Sequence, residues 1–159
     1  MRIALAVFSF LGADLFTWGA DWFWGVSLIV LTVIIHVTGL GFVCRKALHF
    51  AEREIERSNL SIESVMVGTT TLLATFLHAL EAGIWALVYW SVGTQPDFRS
   101  SMLYSLNAIT SYGHSGLVLD DHWRLMGALE SLNGWLLFGL TTAFLFAVIQ
   151  KAWQLGSSE

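Results

Sequence analysis

The chain has 159 residues, 55% hydrophobic and only 13% charged, with a formal charge of -4 and a single cysteine, Cys44. That balance excludes an ordinary water-soluble domain, and a weak net charge without a basic tract excludes a nucleic-acid partner. A lone cysteine excludes an intramolecular disulfide and any multi-cysteine metal site.

Residues 1–21 form an apolar, interfacial segment. Its run from Ile3 to Trp18 is broken by Asp14 and is short for a crossing. Arg2 before an apolar run suggests a signal peptide, but Asp14 stands where the cleavage region would be, so the segment is expected to be retained. Trp18, Trp22, Phe23 and Trp24 read as an aromatic belt at the outer interface, which favours a segment that lies outside rather than crossing. Residues 22–43 are the first transmembrane helix, and His36, deep within it, needs a polar partner.

Residues 44–60 are the most charged stretch and are expected to form a solvated amphipathic helix, with Glu52, Glu54 and Glu56 interleaved among arginines. Arg45, Lys46, Arg53, Arg57 and Lys151 put five of the eight basic residues on one side, which leads this segment and the C-terminus to be expected on the cytoplasmic side. Asn59 or Ser61 is placed to cap the next helix, 62–92. A turn at Gly93 to Pro96 follows, and Asp97 sits near the positive end of a short helix, 98–109.

That helix is too short to cross a bilayer. It leads into the polar, glycine-containing segment Thr110 to Gly116, TSYGHSG, and a span resumes only at 123–150, before a tail at 151–159. Helix, non-helical segment and return to the same side describe a re-entrant loop, which is tolerated at membrane depth only when protein buries it or it lines water. The fold class expected is therefore an all-α membrane protein with three transmembrane helices and a re-entrant helix. Closing a pore with such a loop takes several copies around an axis.

From His78 to Val148 the chain resembles the small bacterial members of the potassium channel family. The resemblance is carried by HALEAGIWALVYW on the outer helix, DFRSSMLYSL on the pore helix and WRLMGALESLNGWLLFGLTTAFLFAV on the inner helix. It implies a pore domain at 61–150, a homotetramer in the lipid bilayer, passive transport of K⁺ or Na⁺, no cofactor and no enzymatic activity. The family filter reads Thr-Thr-Val/Leu-Gly-Tyr-Gly-Asp, against Thr110, Ser111, Tyr112, Gly113, His114, Ser115 and Gly116 here. The resemblance implies that carbonyls of Ser111, Tyr112, Gly113 and His114 take the place of an ion's water shell, with the Ser111 hydroxyl innermost. Only Thr110 and Gly113 are identical to the pattern, so potassium selectivity does not carry over. Ser115 at a glycine position costs roughly 1 kcal/mol where positive φ is required. His114 either points inward, as a ring able to bind a transition metal or change charge near neutrality, or points outward as a brace.

Supporting residues follow from the same alignment and from the cost of burying polar groups in lipid. Asn107 is expected to bond behind the filter, with Ser115 and Gly116 completing the loop. Glu81, one turn after His78, must be paired, and Glu130 and Asn133 are its expected partners. Gly127, Gly134 and Gly139 allow close approach of the inner helix, and Gly134 falls where a gating hinge would lie. No nucleotide loop, ligand-binding domain or arginine-rich voltage sensor is visible. Two other readings stand beside the channel: a non-conducting accessory or scaffold with the same fold, and a membrane protein using histidines such as His36 and His78 as haem or metal ligands.

Overall fold

The computed structural model describes residues 18–42, 45, 62–113 and 116–156, and among these no strand occurs. Three helices are long and apolar enough to cross a membrane: α1 (Trp18–Phe42), α2 (Ile62–Ser91) and α4 (Arg124–Gly156). The short α3 (Phe98–Ile109) lies between α2 and α4, and a single 3₁₀ turn, Asp121–Trp123, leads into α4. The first long helix thus begins at Trp18 rather than Trp22, and α4 continues past the expected end at Gln150 to Gly156. The expected helix at 44–60 lies outside the described residues apart from the helical Arg45.

The ends of the elements follow local chemistry. α2 stops at Gly93, whose φ of +77° suits glycine. The N–H of Gly93 donates to the Trp90 carbonyl and that of Thr94 to the Tyr89 carbonyl, the paired bonds of a Schellman cap. Asp97 then caps α3, accepting from the Ser100 N–H at 2.8 Å and the Ser100 hydroxyl at 3.1 Å. The Ser100 N–H holds the Asp97 carboxyl below the usual carboxylate range. Thr38, Thr71, Thr75 and Thr142 are exposed on helix flanks, and each hydroxyl donates to the carbonyl four residues earlier. Such back-bonding satisfies the hydroxyl without water, as a lipid-facing position requires.

The chain forms two compact units, Met1–Thr32 with Ala82–Trp135 and Val33–Glu81 with Leu136–Glu159. In the first, Leu28, Trp85, Tyr89, Tyr104, Ala108, Leu119, Met126 and Leu129 make a continuous core. Tyr89 and Tyr104 meet edge to face with ring centroids 5.0 Å apart. In the second, Leu40, Ala74 and Leu77 pack with Ile35 and Phe144.

Within the first unit α3 packs beside both α2 and α4, well away from their adjoining ends. The Ser105 hydroxyl oxygen lies 2.7 Å from the carbonyl of Ala82, nine residues before the end of α2 at Ser91. The carbonyl of Ile109 lies against Gly134, ten residues into α4 from Arg124. At 1.5 Å of rise per residue both contacts sit about 15 Å along their long helices.

Candidate functional site

α3 buries one face, Ser101, Tyr104, Ser105, Ala108 and Ile109, at the helical spacing of i, i+3, i+4 and i+7. That face carries the polar contacts that anchor it. Ser105 Oγ lies 2.5 Å from Glu130 Oε1 of α4, and the Ser131 hydroxyl donates to the Ala108 carbonyl at 3.0 Å. The Tyr89 hydroxyl lies beside the Glu130 carboxyl group. Asn133 donates to the Thr32 hydroxyl at 2.9 Å, and that hydroxyl donates on to the Leu28 carbonyl at 2.8 Å. Ser105, Glu130, Asn133 and Thr32 are all fully buried, so each bond is made where water does not compete.

The loop expected to carry the ion path begins at the C-terminal end of α3. The N–H of Ser111 donates to the Ala108 carbonyl and that of Tyr112 to the Asn107 carbonyl, a second Schellman cap. Its left-handed position is filled by Ser111, at φ +54°, instead of glycine. The backbone carbonyl of Asn107 thus supports the loop directly. Gly113 and Gly116 also have positive φ, +98° and +83°. Thr110, Ser111, Tyr112 and Gly113 are exposed in the single chain, Tyr112 at 83%. His114 and Ser115 lie outside the described residues, as does the orientation of the histidine.

Glu81 does not have the partners expected of it. It pairs with histidines: Glu81 Oε1 is 2.8 Å from His36 Nδ1, and Glu81 Oε2 is 3.4 Å from His78 Nδ1. Glu130 and Asn133 instead serve α3 and α1 in the first unit. The reason is rotational. Apolar residues surround these helices on every side, so hydropathy does not indicate which polar position faces which neighbour.

The histidine cluster of His36, His78 and Glu81 is contained in the second unit. Thr141 of α4 closes it, with His36 Nε2 and His78 Nε2 each 2.9 Å from Thr141 Oγ1. The two imidazoles lie 5.0 Å apart at 45°. His36 and Glu81 are fully buried, while the His78 side chain is 29% exposed. The ligand atoms of His36, His78 and Glu81 all lie within 4.8 Å of one another, close enough to hold one metal ion.

Two contributors escape a reading of the sequence. Ser105 was discoverable as one of the small residues on the buried face of α3. Thr141 carried no signal, standing beside Thr142, which points outward. No protein-family model matches the chain, and neither does a curated protein or a solved structure.

Proposed function

We propose that the chain is the subunit of a passive cation channel, in which four copies surround a path lined by the Thr110 to Gly116 loop. K⁺ or Na⁺ would be the permeant ion, with α2 as outer helix, α3 as re-entrant pore helix and α4 as inner helix. The C-terminus would face the cytoplasm of a bacterial cell.

The observation that carries this reading is the depth of α3. A helix of 12 residues cannot cross the bilayer, yet its last residue meets α4 about 15 Å from that helix's start. Non-helical backbone at such a depth requires cover from protein or contact with water. In one chain Thr110 to Gly113 are exposed, and symmetry-related copies would supply both the wall and the aqueous path. The C-terminal end of α3 brings the negative end of its dipole to the loop, which favours a cation there. The resemblance of this stretch to small bacterial potassium channels supports the same reading, and the altered filter leaves the choice of ion to experiment.

Flux through liposomes containing the purified protein is the test. The expected result is K⁺ or Na⁺ flux well above that of empty liposomes, and a gain in K⁺ preference when His114→Tyr and Ser115→Gly are combined. Absence of K⁺, Na⁺ and proton flux across the pH range, from protein that elutes as a folded oligomer, overturns the channel and leaves a non-conducting scaffold.

A further inference from the structure

The cluster in the second unit poses a problem in hydrogen-bond accounting. A threonine hydroxyl has one proton to donate and two lone pairs to accept with. In this chain Thr32, Thr38, Thr71, Thr75 and Thr142 all direct their proton to a carbonyl of their own helix. With the Thr141 proton directed away from both rings, two neutral imidazoles would each donate Nε2–H to Thr141 Oγ1 and present a bare Nδ1. Turned toward one imidazole instead, the hydroxyl still leaves the other Nδ1 bare.

Both Nδ1 atoms face the Glu81 carboxylate, which is itself an acceptor. Glu81 Oε2 is buried and makes no hydrogen bond in this geometry. Two imidazole nitrogens and a carboxylate, each able to ligate a metal ion through a lone pair, therefore converge on one place. The ion pairs of Glu81 among the described residues are with these two histidines, so no lysine or arginine supplies the missing charge.

We propose that His36 Nδ1, His78 Nδ1 and Glu81 form a binding site for a divalent transition-metal ion of the zinc type, held in register by Thr141. Donors of a tetrahedral zinc site, at bonds of about 2.0–2.1 Å, are spaced about 3.3 Å apart. The nitrogen-to-oxygen separations here, 2.8 and 3.4 Å, bracket that spacing. Two imidazoles and a carboxylate suit Zn²⁺ and Co²⁺. A ligating histidine characteristically donates its other N–H to a fixed acceptor, and Thr141 Oγ1, 2.9 Å from both Nε2 atoms, is placed to receive both once the Nδ1 atoms hold the ion. A haem does not fit, because Glu81 and Thr141 each bridge both rings, only 5.0 Å apart. The partly exposed His78 provides the entry side. A bound ion would tie α1 to α2 directly and to α4 through Thr141.

The test uses the full chain in lipid nanodiscs, stripped with a chelator, equilibrated with Zn²⁺ or Co²⁺ and freed of excess by gel filtration. One retained metal per chain is expected, with a Co²⁺ spectrum of tetrahedral nitrogen and oxygen ligation and a Zn²⁺-dependent rise in Tm. His78→Gln weakens binding by roughly tenfold or more, Thr141→Val by about tenfold, and Thr141→Ser retains it. His114→Ala leaves loading unchanged, which separates this site from a ring of filter histidines. The proposal is overturned if the wild-type chain retains no stoichiometric metal, or if His114→Ala loses the metal while His78→Gln keeps it. Both readouts are independent of ion flux, so a non-conducting protein can still bind the metal and a conducting one can fail to.

Discussion

Gly134 of α4 packs its backbone against the carbonyl of Ile109, the last residue of α3, with no room for a Cβ. The neighbour is main chain, so an added methyl cannot be accommodated by a rotamer change. Gly134→Ala is expected to cost about 1–3 kcal/mol and to lower Tm accordingly. Gly139 has nothing within 4 Å of its Cβ position, so Gly139→Ala should leave Tm nearly unchanged. Thermal unfolding of both variants in detergent checks the pair, and equal losses would remove the contact as the explanation.

Ser105 Oγ lies between two oxygens, the Ala82 carbonyl and Glu130 Oε1, and has a single proton to give. A side chain at 130 that can itself donate would satisfy both contacts. Glu130→Gln, which offers a donor in the same place, should therefore be tolerated within about 1 kcal/mol, whereas Glu130→Ala should cost about 3 kcal/mol through the cavity and the lost contact with Ser105. Tm of the two variants distinguishes them. A glutamine as harmful as the alanine would show that the carboxylate charge itself matters.

Thr141 and Thr142 are adjacent, yet one is buried against two histidines and the other is exposed and bonded to the Phe138 carbonyl. Thr141→Val keeps the shape and strands two ring nitrogens, at an expected cost of about 1–3 kcal/mol. Thr142→Val should change stability by no more than about 0.5 kcal/mol. Denaturation of metal-free protein measures both without interference from ligand.

Ser111 occupies a left-handed cap position at φ +54°. Ser111→Gly removes a steric penalty of roughly 1 kcal/mol and is expected to raise Tm. If the hydroxyl also lines an ion path, the same variant should alter cation flux while stabilising the fold. A falling Tm would mean that the left-handed cap is not the conformation of the assembled protein.

Asp97 gives a pH signature. Its carboxyl is held below the ordinary range by the Ser100 N–H, so the cap contributes fully above the unfolded value near pH 4 and is lost as pH falls through the lower folded value. Asp97→Asn should flatten that acid dependence while keeping most of the cap, and Asp97→Ala should lower Tm at neutral pH. Tm measured against pH for the three proteins is the check.

The sequence carried the helices well and their rotations poorly. Length and hydropathy located all three long helices within a few residues, apart from the extended C-terminal end of α4, and Pro96, Asp97 and the short apolar run at 98–109 located α3 with its cap. Close packing at Gly134 was also legible, because glycine in an apolar helix has few other uses. The partners of Glu81 were not. A helix that is apolar all round has no polar stripe to give its facing direction, so pairing an intramembrane acid becomes a question about rotation, which only three-dimensional packing answers. His36 needed a partner and found one on α2, but nothing at residue 36 identified which of the polar groups on the other helices it would meet.

The contact between the end of α3 and Gly134, partway along α4, has a consequence for chain length. From the end of α3 the backbone must climb about 15 Å and step sideways by about one interhelix distance, 8–10 Å, a path of about 18 Å. Thr110 to Asp120 supply eleven residues for it, an extended reach of roughly 36 Å. The return limb is therefore slack by about twofold. The slack does not extend to Leu117 and Leu119, which pack in the core of the first unit, and the limb into α3, from Gly93 to Asp97, is fixed at both ends by caps and has no such reserve.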